Sequence, residues 1–331
     1  MAPATRLTLS GLTVRFDGVT VLHGIDLSIG KGEALGLVGE SGSGKSVTWL
    51  AALGLLPGKA QISGSARLDD LELVGAKPAA LDKVRGGRVA MIFQDPTSAL
   101  NPVLKVGTQI GEALSLHRGL SGRAIKAEAK RLFDLVGIPD AERRLSAYPH
   151  EFSGGQNQRV MIAMALAGEP DILVADEPTT ALDVTIQAQI LDLINTVRRE
   201  MGMALVLISH DLGVIAETCD RVAVMYAGRI VEEAPAAELF AAPHHPYAQG
   251  LLNSLPPLGG ARRKLVSIPG VVPDPRALPK GCAFAPRCTQ AAEICRETLP
   301  ALRNAATGRR VACVFEPEVP APTVERELEL A

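Results

Sequence analysis

Along the first two thirds of the chain, short apolar runs rich in β-branched residues alternate with stretches whose apolar residues recur every three or four positions. That alternation predicts a parallel α/β sheet. Buried parallel strands read as nearly continuous apolar runs, and the crossovers between them read as amphipathic helices. The candidate strands are residues 34–38, 89–93, 172–175, 205–208 and 222–226. Residues 185–201 set Ile186, Ile190, Ile194 and Val197 on one face, and Gly202 is the expected stop. Between Phe93 and Ile172 the strand pattern disappears. A capped helical stretch from Ser121 to Gly137, with Ile125, Leu132 and Leu135 on its apolar side, lies in that interval. It predicts a helical insertion, at about residues 95–155, within an α/β domain spanning residues 1–235. Beyond residue 235 proline becomes frequent and periodicity fades, so a small irregular domain is expected over residues 236–331. No internal repeat of solenoid length is evident.

Composition adjusts this picture in two ways. Hydrophobic residues make up 47% of the 331 and aromatics only 3%, so the core is expected to be Ala, Val, Leu and Ile. The formal net charge of -2 offers no global electrostatic case for nucleic acid or an anionic membrane. No uninterrupted apolar run approaches the roughly 18 residues of a membrane span, and the first ten residues show no secretory pattern. The expectation is a soluble cytoplasmic protein, in which structural disulfides are disfavoured. Of five cysteines, Cys219 stands alone and is expected to be a small buried hydrophobe. The others, Cys282, Cys288, Cys295 and Cys313, are separated by 5, 6 and 17 residues. That is neither the close pair of a zinc finger nor a ferredoxin spacing. An iron–sulphur cluster, zinc and unligated thiols all remain open on spacing alone. From Arg262 to Arg310 there are 10 Lys or Arg against 3 Asp or Glu, whereas 316–331 carries 5 acids and one Arg. A basic surround of that kind lowers the cost of an anionic four-thiolate centre.

The chemistry is most explicit at Gly39-Glu40-Ser41-Gly42-Ser43-Gly44-Lys45-Ser46, followed by Val47, between a candidate strand and an apolar helical stretch. The spacing is that of a phosphate-binding loop. Glycines allow successive backbone N–H groups to face phosphate oxygens, Lys45 adds a point charge, and the Ser46 hydroxyl suits Mg²⁺. A second half of such a site is an acid ending a buried strand. Asp171-Ile172-Leu173-Val174-Ala175-Asp176-Glu177 supplies one, with Asp176 for the metal and Glu177 for the attacking water.

Glu151-Phe152-Ser153-Gly154-Gly155-Gln156, about 20 residues upstream, resembles the signature sequence of ATP-binding cassette (ABC) proteins. The surrounding motifs match that family in order. Gln94 resembles the Q-loop glutamine, Thr180-Ala181-Leu182-Asp183 the D-loop, and His210 the switch histidine, while Phe16 corresponds to the aromatic that stacks on adenine. Phe152 and Asn157 depart from the commoner residues beside the signature. The resemblance covers about residues 5–235. It implies a P-loop ABC ATPase fold using ATP and Mg²⁺, the metal near Ser46, Gln94 and Asp176. It also implies two cassettes paired head to tail, Ser153, Gly154, Gly155 and Gln156 of one capping ATP on the other. The stretch from Phe93 to Pro102 and the segment His244-His245-Pro246-Tyr247 resemble ATPase subunits of dipeptide, oligopeptide and nickel importers. A helix start after Pro246 is expected there rather than a histidine metal site. The importer resemblance further implies two permease subunits, an extracytoplasmic substrate-binding protein, a peripheral position on the cytoplasmic face of the membrane, and no nucleic-acid partner. In some such importer ATPases four similarly placed cysteines hold an iron–sulphur cluster, which makes [4Fe–4S] the leading cofactor here and zinc the second. The rival reading is a soluble ABC ATPase acting on ribosomes or DNA, without a second cassette or a long coiled-coil insertion in this chain to support it.

Overall fold

Five buried strands run parallel through the middle of the molecule, and they are the five apolar runs of the sequence. In the computed structural model, which describes residues 5–95, 99–180, 182–254, 267–305 and 308–315, these are β3 (Ala34–Val38), β6 (Val89–Ile92), β7 (Ile172–Asp176), β8 (Ala204–Ile208) and β9 (Arg221–Tyr226). They lie in the order β9-β3-β8-β7-β6, each pair parallel. Every residue of β3, β7 and β8 is buried, which is why the runs are continuous rather than alternating. Strand β6 ends at Ile92, so Phe93 and Gln94 lead out of the sheet. Pro96 to Ser98, Ala181, the basic residues Arg262, Arg263 and Lys264, and the acidic segment 316–331 lie outside the described residues.

A second sheet, antiparallel and four-stranded, was not expected from the pattern. It holds β1 (Thr5–Phe16), β2 (Val19–Gly30), β4 (Ala60–Leu68) and β5 (Leu71–Glu72) in the order β2-β1-β4-β5. Its alternation is real but slips. In β1 the buried apolar side chains are Leu7 and Leu9, then Leu12 and Val14; in β2 they are Leu22, then Ile25, Leu27 and Ile29. Each slip falls at a bulge carrying a glycine in the left-handed region, Gly11 (φ 59) and Gly24 (φ 74). A period-two template reads such a strand as two short fragments.

The two sheets enclose one core, with Leu35 and Leu37 of β3 packing among residues of the antiparallel sheet. The other face of the parallel sheet is covered by helices. Helix Gly122–Leu135, with Ser121 at its N-cap, buries Ala129, Leu132 and Phe133. It joins Val106–Arg118, Ala141–Arg144 and Gly154–Leu166 to form the helical insertion between β6 and β7. Helix Val184–Met201 buries Ile190, Ile194 and Val197 and ends at Gly202 in the left-handed conformation, as the spacing predicts.

The residues after Pro235 are tied to this framework. Strand β10 (Arg229–Pro235) pairs antiparallel with β9, and β12 (Arg310–Val311) pairs with β10, with β11 (Arg303–Asn304) outermost. Glu232, fully buried on β10, accepts backbone N–H bonds from His244 and His245 and pairs with the Arg309 guanidinium at 3.3 Å. Helix Pro246–Asn253 begins where expected; its cap is His245, whose Nδ1 accepts from the Tyr247 N–H. Burial depresses the pKa of that imidazole to about 4, so it stays neutral and able to accept. Among the described residues no helix is long and apolar enough to cross a membrane.

Candidate functional site

The phosphate loop follows β3 at the centre of the parallel sheet and leads into helix Lys45–Ala52. Two of its three glycines are sterically required. Gly39 has φ 150, and a Cβ there would lie 2.2 Å from the Met225 carbonyl; Gly44 has φ 101 and would meet Leu22 at 2.5 Å. Ser43 is buried, Ser41 and Gly42 are exposed, and Val47 packs partly buried beneath the antiparallel sheet. The helix has no side-chain cap and no acid in its first turn, which leaves its first N–H groups available to an anion. Lys45 Nζ donates to the carbonyls of Gly39 (2.7 Å) and Glu40 (3.1 Å). Burial lowers its pKa, against the opposing pull of Glu177, Asp176 and Glu40.

Strand β7 delivers two acids to this loop. Asp176 is buried, and burial raises its pKa even though the Ser46 hydroxyl hydrogen-bonds to it. A buried carboxylate with a hydroxyl beside it offers hard oxygens that suit Mg²⁺, which would remove the cost of that burial. Glu177 follows in the left-handed region (φ 47), an uncommon conformation for a non-glycine residue, held by its N–H to Ile208 O at 2.9 Å. Three side chains from separate elements converge on its carboxylate. Gln94 Nε2 donates to Oε2 at 3.2 Å, Thr180 Oγ1 donates to the same oxygen at 2.9 Å, and His210 Nδ1 lies 3.6 Å away. Gln94 and His210 were expected here. The sequence marks Thr180 only through the D-loop resemblance, although an O–H three residues after an acid in a turn is a recognisable partner.

The remaining candidates sit elsewhere. Ser153 caps helix Gly154–Leu166 through a reciprocal box with Gln156, at 3.3 and 3.1 Å. Gly154 and Gly155 face Leu182 and Ile186, with too little room at Gly155 for a Cβ. Asn157 is buried and donates to Pro149 O at 3.0 Å, and Phe152 lies under the Arg144 guanidinium, so both unusual residues anchor the turn before the signature. Asp183 uses its carboxylate to cap helix Val184–Met201. Phe16 ends β1, half-buried where it pairs with Val19 and Ala60.

Cys282, Cys288, Cys295 and Cys313 all line one cavity, together with His245, Phe284 and Phe315. Backbone N–H groups point at three of the sulfurs: from Phe284 and Ala285 to Cys282, from Gln290 to Cys288, and from Val314 and Phe315 to Cys313. Donors of that kind are what a thiolate centre needs. Among the described residues, however, no group of three or more His, Cys, Asp or Glu side chains is arranged to hold a metal ion. Cys219 is buried in the α/β core, its thiol pushed up to about 12 by burial.

Known proteins resemble this chain in sequence and in fold. The family description "ABC transporter" matches residues 22–180, and "Oligopeptide/dipeptide transporter, C-terminal region" matches residues 231–295. The oligopeptide transport ATP-binding protein OppD of Haemophilus influenzae is 49% identical over 294 residues, which is 88% of this chain and 91% of that one. Among solved structures, cbiO1 of Clostridium perfringens, part of the ABC transporter complex cbiONQ, superposes with TM-score 0.63 at 28% identity, covering 72% of this chain and 91% of that one. The ATP-binding cassette MJ0796, solved as a post-hydrolysis dimer bound to ADP and Pi, gives TM-score 0.62 at 28% identity over 70% of this chain and 98% of that one. A phosphate loop, an acid pair on the adjacent strand and a capped signature helix, joined to an oligopeptide-transporter C-terminal region, place this chain in the family of ABC transporter ATP-binding proteins of the oligopeptide type.

Proposed function

We propose that this chain is the ATP-hydrolysing, energy-coupling subunit of an ABC importer for dipeptides or oligopeptides. The observation that carries the reading is the convergence of Gln94, Thr180 and His210 on Glu177 beside an uncapped phosphate loop. The loop amides from Gly39 to Ser46 and the Lys45 ammonium bind the triphosphate, and Phe16 stacks on the base. Mg²⁺, held by Ser46, Gln94 and Asp176, would neutralise phosphate charge. Glu177 takes the proton from the attacking water; His210 and Gln94 orient that carboxylate and report the phosphate to the rest of the molecule. Ser153 and Gly154, which the ABC signature resemblance assigns to capping ATP on an opposing cassette, serve the ATP of a second cassette, a copy or a paralogue. Two permease subunits dock on the helical insertion at the cytoplasmic face of the membrane, and an extracytoplasmic binding protein supplies the peptide. The four cysteines hold a structural metal centre, an iron–sulphur cluster first and zinc second, supported by their shared cavity and backbone N–H donors. The test is peptide uptake by the assembled importer. Lys45→Met should abolish both uptake and hydrolysis while the subunits still assemble, and uptake that persisted would overturn the proposal.

A further inference from the structure

Glu40, the second residue of the phosphate loop, has every polar group committed, and two of its partners come from beyond residue 235. Its carboxylate is gripped in a fork by Arg287, at 2.6 and 2.9 Å. Its N–H donates to Tyr247 Oη at 2.8 Å. Its carbonyl accepts from Lys45 Nζ at 3.1 Å and from the Ser43 N–H at 3.2 Å. Arg287 is itself fixed. It donates through Nε to Pro269 O (2.8 Å) and through Nη1 to Tyr226 Oη (3.3 Å), and only 5% of its side chain is exposed. Tyr226, Tyr247 and Phe284 form a ring cluster with centroids 4.6 to 5.4 Å apart, over which the guanidinium lies. A rigid aromatic block from two parts of the chain thus holds one buried cation against one loop residue.

We infer that Arg287 is a positioning residue for ATP: acting through Glu40, with Tyr247, it holds the phosphate loop in its binding shape before the triphosphate arrives. The inference rests on the reading that this loop binds ATP. A loop held open in advance loses less freedom when a ligand enters, so binding strengthens without any contact between Arg287 and the ligand. The same tie sets the starting place of Lys45, which is held by the carbonyl of Glu40 and must swing from there to the phosphates. A bidentate guanidinium–carboxylate pair specifies direction as well as charge, so lysine does not replace it. The chemistry of hydrolysis at Glu177 is untouched. The signature of the inference is therefore a change in nucleotide affinity with turnover at saturation preserved.

The experiment titrates the full-length chain with magnesium adenylyl imidodiphosphate, a non-hydrolysable ATP analogue, and measures ATP turnover on the assembled importer. Arg287→Met and Glu40→Gln should each weaken analogue binding about tenfold. The double variant should be no weaker than either single one, because both remove the same link. In Arg287→Met, turnover at saturating ATP should stay within about twofold of the parent. Tyr247→Phe leaves the ion pair and the ring cluster in place and removes only the acceptor of the Glu40 N–H, so it should weaken binding about threefold even if Arg287→Met unfolds. Parental affinity in both Tyr247→Phe and Glu40→Gln, or additive losses in the double variant, would overturn the positioning role. A parent chain that failed to bind the analogue at all would instead overturn the ATP-binding reading beneath it.

Discussion

The phosphate loop meets the Tyr226–Tyr247–Phe284 cluster through Glu40 and Tyr247, the four-cysteine cavity meets it through Phe284, and the two are built on opposite principles. The loop is made of backbone. Three glycines in positive φ, an uncapped helix end and a buried lysine fix its form with no ligand required. The cavity is made of side chains. Four thiols share it, with backbone donors aimed at three of the sulfurs, yet they are not arranged to hold an ion. Main-chain geometry is set by the folding of its neighbours, whereas a side-chain cage of like groups closes only when something binds between them. One region therefore carries its function in its conformation and the other carries only the potential for it.

That contrast can be broken at either end. The largest effect is expected at Glu177. Glu177→Gln keeps the shape and the hydrogen-bonding oxygen but removes the base, so turnover should fall by about 10²-fold or more while ATP binding survives. Hydrolysis at the parental rate, measured on the assembled importer, would show that the carboxylate is not the base. At the cavity, protein purified without oxygen should contain iron and sulphide. Both should be lost in Cys288→Ser and retained in Cys219→Ser, because only the first thiol lines the cavity. Stoichiometric zinc would keep the ligands and discard the iron; four freely reactive thiols with no metal would discard both.

The tie between β10 and the residues after Pro235 should respond next. Arg309 and Glu232 are 3% and 0% exposed, and Arg309→Met leaves a carboxylate buried without its cation. The expected loss is about 3 kcal/mol, read from denaturant unfolding, and no loss would mean that the backbone N–H groups of His244 and His245 suffice for Glu232. The smallest effect should appear far from both regions. The hydrogen bond from Arg131, then that from Arg118, holds the Glu128 carboxyl at about 2, well below its ordinary value. A depressed value stabilises the folded state above the ordinary carboxylate range, and that contribution disappears as pH falls toward 2. Glu128→Gln should thus cost less than about 1 kcal/mol at neutral pH and nothing at pH 2. A difference that grew on acidification would reverse the sign of this assignment.

How much could be read in advance follows the same division. The five parallel strands were legible because burial on both faces leaves no polar interruption, as in Ala34–Val38 and Ala204–Ile208. The antiparallel sheet was not, because the bulges at Gly11 and Gly24 shift the alternation by one residue midway. That Lys45, Asp176, Glu177, Gln94 and His210 lie close together could be anticipated because each stands at or just beyond the end of a parallel strand. Arg287 and Tyr247 were not readable as partners of the loop. Arg287 lies 247 residues from Glu40, and the fork is closed by tertiary packing that no local pattern encodes. The cysteines could be counted, and their convergence on one cavity could be anticipated, but not whether an ion completes it.

The pairing of β10 with β12 has a consequence for how the chain is made. During synthesis from the N-terminus, β10 is complete at Pro235, but its outer edge stays unpaired until Val311 emerges, 76 residues later. Throughout that interval the nascent chain presents an open strand edge whose middle is destined for burial, the kind of surface that recruits a neighbouring strand on the same polysome. The segment that carries β12 is therefore what closes that edge, and a chain cut short before residue 310 has every parallel strand in place and the outer edge of β10 still without its strand partner.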